Sequence, residues 1–178
     1  MKKVLVLSAH HAPDVSRINQ QAVAALSAIP GVTMHELWQA YPDYQIDVER
    51  EQQLLRGHDS VVLLFPFWWY SSPAILKVWQ DVVLTYGFAY GHEGTALYSK
   101  ELLVMTSTGG PAEAYTLGGA NLYPLETLLS PFRTMANKTG MTWLPPVPLH
   151  GANEATQAVI DSGVKVWSDR IKQLVVSG

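Results

Sequence analysis

Three short apolar runs constrain the fold of this chain more than any other feature, because each is followed by a segment with helical periodicity. They are Val4–Ser8, Val61–Phe65 and Leu102–Thr106. Such short runs predict strands, and strands that are apolar on both faces are typical of parallel sheets covered by helices on each side. Alternating strands and helices therefore predict an α/β fold with a doubly wound parallel sheet.

Weaker patterns complete the alternation. Val32–Trp38 alternates as a strand, and Trp143 with Val147–His150 forms a last strand broken by prolines, so the sheet is expected to have five strands. The helices are predicted over Ser16–Ile29, Asp47–Arg56, Pro73–Tyr86, Leu125–Lys138 and Glu154–Val176. No internal repeat or linker interrupts this order, so residues 1–178 are expected to form one domain.

Composition excludes several classes of function. The chain has 178 residues, of which 48% are hydrophobic, which is enough for a substantial core. Its net charge of -3 provides no basic surface for nucleic acid, so no nucleic-acid partner is expected. Cysteine is absent, which excludes disulfides and thiolate chemistry. The adjacent His10 and His11 lack the spacing of a metal site, and no metal is expected.

The amino terminus does not have the pattern of an export signal. The apolar run Val4–Leu7 is shorter than the roughly 7–15 residues that such a signal needs. No other segment approaches the ~18 apolar residues of a membrane span. The sequence therefore predicts a soluble, cytoplasmic protein.

Unusual turns follow three of the strands, at their carboxyl ends. They are Ser8–Asn19, Pro66–Ser72 and Ser107–Tyr115. In doubly wound sheets, ligands bind at this edge, where the winding direction reverses. We therefore expect the three turns to converge on one ligand site.

Each turn has a functional and a purely structural interpretation. In the first turn, the functional interpretation is that Ser16 and the helix amino terminus bind a phosphate. The structural interpretation is that Ser16 only caps the helix and His10 is only a structural histidine. In the second, the aromatic side chains suit a planar heterocycle, or they pack in a core or a subunit interface. In the third, Gly109 and Gly110 allow close approach of the backbone to a ligand, or they only permit the turn. Tyr115 either reaches the same ligand or lies on the surface.

Several common motifs are missing from these turns. The chain lacks G-x-x-x-x-G-K-[ST], the loop that binds nucleoside triphosphates, and this absence disfavours chemistry on ATP. It also lacks G-x-G-x-x-G, the usual dinucleotide-binding fingerprint. It also lacks the G-x-S-x-G elbow of serine hydrolases.

Taken together, the turns form a specific combination of weak motifs. These are Ala9-His10 with Ser16-x-x-Asn19, then Pro66-Phe67-Trp68-Trp69-Tyr70-Ser71-x-Pro73, then Gly87-Phe88-Ala89-Tyr90-Gly91, then Ser107-Thr108-Gly109-Gly110. The combination resembles the flavodoxin-like NAD(P)H:quinone oxidoreductases, and in particular the ancillary subunits of glutathione-regulated potassium-efflux systems. The resemblance extends over most of the chain.

The resemblance implies a flavin at the carboxyl ends of the strands. FMN is favoured over the alternative FAD because the chain is compact and shows no extra segment that could enclose an adenosine. The implied phosphate-binding residues are His10, Ser16, Arg17, Ile18 and Asn19, the implied ring-lining residues are Pro66, Phe67, Trp68, Trp69 and Tyr70, and the implied contacts to the polar edge of the ring are Ser107, Thr108, Gly109 and Gly110. Tyr115 falls where such enzymes place an active-site tyrosine.

The resemblance also implies an activity and an assembly. Members of this family pass hydride from NAD(P)H to the flavin and then to a quinone, and they work as homodimers with each flavin near the subunit boundary. This chain departs from the pattern at Trp68, where glutamine is frequent, and at Ser107, where threonine is common. Asn121 lies near the place where some quinone reductases carry a histidine partner for the tyrosine, so no Tyr/His relay is assigned from the sequence.

Two other functions stay open at this stage. One is a regulatory ancillary subunit that docks on a membrane potassium-efflux protein. Because the chain lacks a polybasic patch, its recruitment would require a protein partner and no direct membrane insertion. The other is a flavodoxin-type electron carrier, which is disfavoured because the net charge of -3 is modest for electrostatic docking.

Overall fold

A parallel sheet forms the centre of the computed structural model, which describes residues 1–11 and 16–177. Its strands are β1 (Val4–Ser8), β2 (Val32–Glu36), β3 (Ser60–Pro66), β4 (Glu101–Ser107), β5 (Thr142–Trp143) and β6 (Val147–Leu149). The order is β2-β1-β3-β4-β5, with β6 also paired to β4. Both β5 and β6 run parallel to β4, one beside its start and the other beside its end, so they are two pieces of one edge strand. The expected five-stranded, flavodoxin-like arrangement is confirmed.

Helices cover both faces of this sheet. They are α1 (Arg17–Ser27), α2 (Leu37–Ala40), α3 (Val48–Arg56), α4 (Ala74–Val83), α5 (Leu125–Leu128), α6 (Ser130–Lys138) and α7 (Gln157–Val176). On one face, α1 and α7 pack against alternate strand residues such as Val6 and Val62. On the other face, α3, α4 and α6 pack against residues such as Leu7 and Leu63. Because the central strands are buried on both faces, their sequences are continuous apolar runs.

Several predicted boundaries differ from those of the structure; for example, the last helix begins at Gln157 rather than Glu154 and the first ends at Ser27 rather than Ile29. Strand β2 ends at Glu36, two residues early, because Leu37 turns into the core to begin α2. Helix α4 ends at Val83 rather than Tyr86, and the Gln52 amide donates to the Val83 carbonyl at 3.0 Å. The predicted helix over 125–138 is divided at Leu129, because Pro131 has no N–H to continue the hydrogen-bond ladder.

Candidate functional site

A cleft of about 660 Å³ opens at the carboxyl edge of the sheet, where β1, β3 and β4 end. Its volume lies within the roughly 300–1,000 Å³ that is typical of small-molecule sites. The lining residues are His10, His11, Ser16, Arg17, Ile18, Pro66, Phe67, Trp68, Trp69, Ser107, Gly109, Ala152, Asn153 and Ile160. The three turns that the sequence singled out therefore meet around one space, and tryptophan side chains do not fill it.

Helix α1 begins at the cleft. Ser16 is its N-cap, and the backbone N–H of Asn19 donates to the Ser16 hydroxyl oxygen at 3.2 Å. The remaining N–H groups of the first helical turn and the positive end of the helix dipole favour an anion here. Arg17 lines the cleft while its guanidinium donates to the backbone oxygen of Ala155 at 3.0 Å. Residues 12–15 of this turn lie outside the described residues.

The two imidazoles of the first turn pack against the second turn. His10 and His11 stack with ring centroids 5.7 Å apart, and both meet the Trp68 ring nearly edge-on, at 5.2 Å and 4.5 Å. This contact places aromatic surface beside the helix amino terminus. The cleft can therefore accept a ligand that has a planar part and an anionic part.

The second turn is a tight hairpin of unusual composition. Trp68 and Ser71 exchange two backbone hydrogen bonds of 3.1 Å and 3.0 Å. Between them, Trp69 and Tyr70 have φ of 49° and 62°, the geometry of a type I′ turn. Asparagine and glycine normally occupy such positions, because a left-handed backbone costs other residues roughly 1–2 kcal/mol each. Strain of this kind is concentrated at ligand-binding sites, where surrounding contacts maintain it.

The aromatic side chains of this hairpin point in different directions. Phe67 is buried, whereas Trp69 projects into solvent with 93% of its surface exposed. Tyr70 lies outside the cleft lining, and its hydroxyl donates to the side-chain oxygen of Asn121 at 3.2 Å. The aromatic side chains of the hairpin therefore do not all enter one core.

The third turn is held by the segment that follows β6. The N–H groups of Gly151 and Ala152 donate to the carbonyls of Gly110 and Thr108, both at 2.8 Å. A Cβ atom on Gly109 would lie 2.8 Å from the side-chain nitrogen of Asn153, closer than real Cβ contacts. A side chain at position 109 would therefore have to displace the Asn153 amide from its place over the backbone.

Tyr115 lies next to the cleft lining. Its ring contacts those of Phe67 and His150, with centroids 6.1 Å and 5.5 Å away. The Thr108 hydroxyl lies 2.9 Å from the Gly110 carbonyl oxygen and forms a 2.8 Å hydrogen bond with Nδ1 of His150.

Burial shifts both titratable groups of this cluster toward their neutral forms. It raises the pKa of Tyr115, an effect that the Thr108 hydroxyl partly offsets. It lowers the pKa of His150, against a smaller opposing effect of the Glu113 charge. At neutral pH the tyrosine is consequently a hydrogen-bond donor and the histidine is uncharged.

Three of the predicted cofactor-binding residues, Asn19, Thr108 and Gly110, do not line the cleft itself. Asn19 is buried and accepts a hydrogen bond from the Ser8 hydroxyl at 3.0 Å, while Thr108 and Gly110 belong to the turn beside His150. Sequence reasoning missed His150, Ala152, Asn153 and Ile160 as neighbours of the site. Their only signal was a position at or after the carboxyl end of the last strand.

Comparison with known proteins gives relatives along nearly the whole chain. The family model described as "Flavodoxin-like fold" matches residues 2–171. General stress protein 14 of Bacillus subtilis (strain 168) is 45% identical over 96% of this chain and 98% of its own length. The uncharacterized NAD(P)H oxidoreductase YdeQ of the same organism is 44% identical over 85% and 77%. The glutathione-regulated potassium-efflux system ancillary protein KefG of Pectobacterium carotovorum subsp. carotovorum (strain PC1) is 40% identical over 94% and 91%.

Solved structures are also similar over almost the full length. General stress protein 14 of Treponema denticola, in complex with FMN, has a TM-score of 0.88 at 35% identity and covers 95% of this chain and 99% of its own. An NADPH-quinone reductase from P. pentosaceus has a TM-score of 0.87 at 33% identity, with 99% of both chains covered. A chain described as a thermophilic tryptophan halogenase from Streptomycin violaceusniger has a TM-score of 0.90 at 42% identity and covers 98% and 99%.

Proposed function

The chain belongs to the family with the flavodoxin-like fold, and on that premise we propose that it is an FMN-dependent NAD(P)H:quinone oxidoreductase. The observation that carries the proposal is the convergence of three turns on one cleft. An anion-favouring helix terminus, an aromatic wall and a glycine turn with hydroxyls lie around it. The FMN complex of the Treponema denticola relative and the names of the oxidoreductase relatives support it.

The residues of the cleft fit the parts of FMN. The first turn, with Ser16 and Arg17, would hold the phosphate, and Phe67 to Trp69 would line the flat ring. Ser107 and Gly109 would face its polar edge, where the glycine leaves the backbone open to approach. When bound, FMN supplies two-electron transfer from a nicotinamide to a quinone. The protein binds and orients the reactants and excludes water from the cleft.

We assign Tyr115 the role of hydrogen-bond donor to the acceptor molecule. Its hydroxyl keeps its proton at neutral pH, because burial raises its pKa. Its ring is fixed between Phe67 and His150, so the orientation of the hydroxyl is restricted. A quinone oxygen that gains electron density during reduction would be stabilised by such a donor.

A homodimer is part of the proposal. Large apolar side chains are exposed on the hairpin of the second turn and on the nearby loop. They are Trp69 at 93%, Leu117 at 80%, Leu122 at 66%, Tyr123 at 52% and Tyr70 at 51%. An exposed group of this kind is typical of an association surface. A second copy placed here would lie close to the cleft, and light scattering of the purified protein measures whether it forms.

A second role is compatible with the first and is favoured by the similarity to KefG. In that role the chain would be the ancillary subunit of a potassium-efflux system and would act at the cytoplasmic side of the membrane through a protein partner. Within residues 1–11 and 16–177, no helix is long and apolar enough to cross a membrane.

The absorbance spectrum of the purified protein tests the main proposal. We expect flavin bands that bleach on addition of NADH or NADPH without air and return on addition of a quinone. Protein that binds no FMN, or that bleaches only when a separate reductase is added, would contradict it. The second outcome would favour an electron carrier instead.

A further inference from the structure

The segment after β6 forms a further wall of the cleft, and it is firmly held. Besides the hydrogen bonds from Gly151 and Ala152 to the third turn, the Arg17 guanidinium donates to the Ala155 carbonyl at 3.0 Å. Asn153 lies between these anchors, and its own N–H points to the Gly109 carbonyl at 3.4 Å. The position of Asn153 is therefore fixed before any ligand binds.

The side-chain amide of Asn153 has no hydrogen-bonding role within the part of the fold that the structure describes. No hydrogen bond joins its amide to another group among residues 1–11 and 16–177. The N-cap of the following helix α7 is Thr156, whose hydroxyl accepts from the Val159 N–H at 3.4 Å. The Asn153 amide instead lies against Gly109 and lines the cleft. It is a free donor and acceptor directed at the ligand space.

We propose that Asn153 is an additional cofactor-binding residue, whose amide hydrogen-bonds the pyrimidine edge of the flavin ring. The inference rests on the proposed function. The amide packs on the third turn, which faces the polar edge, whereas the phosphate end belongs to the first turn. A carboxamide both donates and accepts, which matches an edge that presents carbonyl and N–H groups side by side.

Flavin titrations of the apoprotein test this assignment. We compare the wild type with Asn153→Leu, which keeps the approximate shape but removes the hydrogen bonds. Asn153→Ala serves as a second variant because it only shortens an exposed side chain. The matched control is Glu154→Gln, at an exposed neighbour that does not line the cleft. The ligands are FMN, riboflavin and lumiflavin, which share the ring and differ in the ribityl and phosphate groups.

We expect both Asn153 variants to bind all three ligands roughly threefold to tenfold more weakly, the value of one or two hydrogen bonds, and the control to match the wild type. Asn153→Asp should lower the midpoint potential of bound FMN, since a carboxylate opposes added electrons. Unchanged affinities, or a loss confined to FMN, would overturn the assignment. Wild-type protein that binds none of the three ligands would contradict the proposed function itself, so the two failures are distinguishable.

Discussion

Replacing Glu51 tests how the helices beside the site are held. This carboxylate is fully buried and lies on α3, between β2 and α4. Its Oε1 accepts from the Tyr41 hydroxyl at 2.6 Å and pairs with Nε2 of His35 at 2.7 Å, and its Oε2 accepts from the Trp79 indole at 2.8 Å. Trp79 belongs to α4, which begins just after the aromatic hairpin. One buried carboxylate thus connects α3 with β2, with the residue after α2 and with α4.

We expect Glu51→Gln to destabilise the protein by about 1–3 kcal/mol, the usual cost of leaving buried hydrogen-bonding groups without their partner. The new amide group would point an N–H toward existing donors and leave buried polar groups unpaired. Such a loss is a large part of the roughly 5–15 kcal/mol that stabilises a typical domain. Glu49→Gln on the exposed side of the same helix is the control and should change stability by less than about 0.5 kcal/mol.

The effect should depend on pH in a defined direction. Burial alone would raise the pKa of Glu51, but the hydrogen bonds from His35, Tyr41 and Trp79 hold it below its ordinary 4.5. A carboxylate with a lowered pKa stabilises the folded state fully above the unfolded value and loses this contribution as pH falls through the folded pKa. The difference between wild type and Glu51→Gln should therefore be constant near neutral pH and shrink below about 4.5.

Urea unfolding followed by tryptophan fluorescence measures both quantities, because the chain has six tryptophans. The free energies are compared at pH 7 and at a pH below 4.5, with the slopes against urea checked for equality. A Glu51→Gln variant within 0.5 kcal/mol of the wild type at pH 7 would refute the reasoning. A difference that grows on acidification would also refute it.

Three further predictions concern the site itself. Gly109→Ala should weaken FMN binding by roughly threefold to tenfold, as the Asn153 variants do, because its Cβ would displace the Asn153 amide; equal affinity in a fluorescence titration would contradict this. Tyr115→Phe should retain FMN but slow quinone reduction by roughly threefold to tenfold, the value of one hydrogen bond, and unchanged turnover with several quinones would remove Tyr115 from the mechanism. Thr108→Val should cost about 0.5–1.5 kcal/mol in urea unfolding, because it removes the hydrogen bond between the buried Thr108 hydroxyl and His150, whereas Thr116→Val at an exposed position should be nearly neutral.

Local chemistry explains why much of the fold could be predicted from the sequence. The strand starting at Val4, the cap at Ser16 and the stop at Gly57 depend on apolar runs and on capping preferences within a few residues. The convergence of the three turns could also be predicted, because parallel strands bring their carboxyl ends to one edge. Where local preference competes with tertiary contacts, as at Leu37, the prediction was wrong by a few residues.

Only the tertiary structure decided which distant side chains meet in the cleft. His150 and Asn153 come from the end of the last strand, and their contacts with Tyr115 and Gly109 depend on the register of β6 beside β4. The left-handed hairpin at Trp69 opposes local preference and is closed by the Trp68–Ser71 hydrogen bonds and by the bond from Tyr70 to the distant Asn121. The sequence by itself determined the alternation of elements and the edge that carries the site, since these follow from periodicity and chirality. The partners of each side chain there depended on packing across the sheet, which no local pattern encodes.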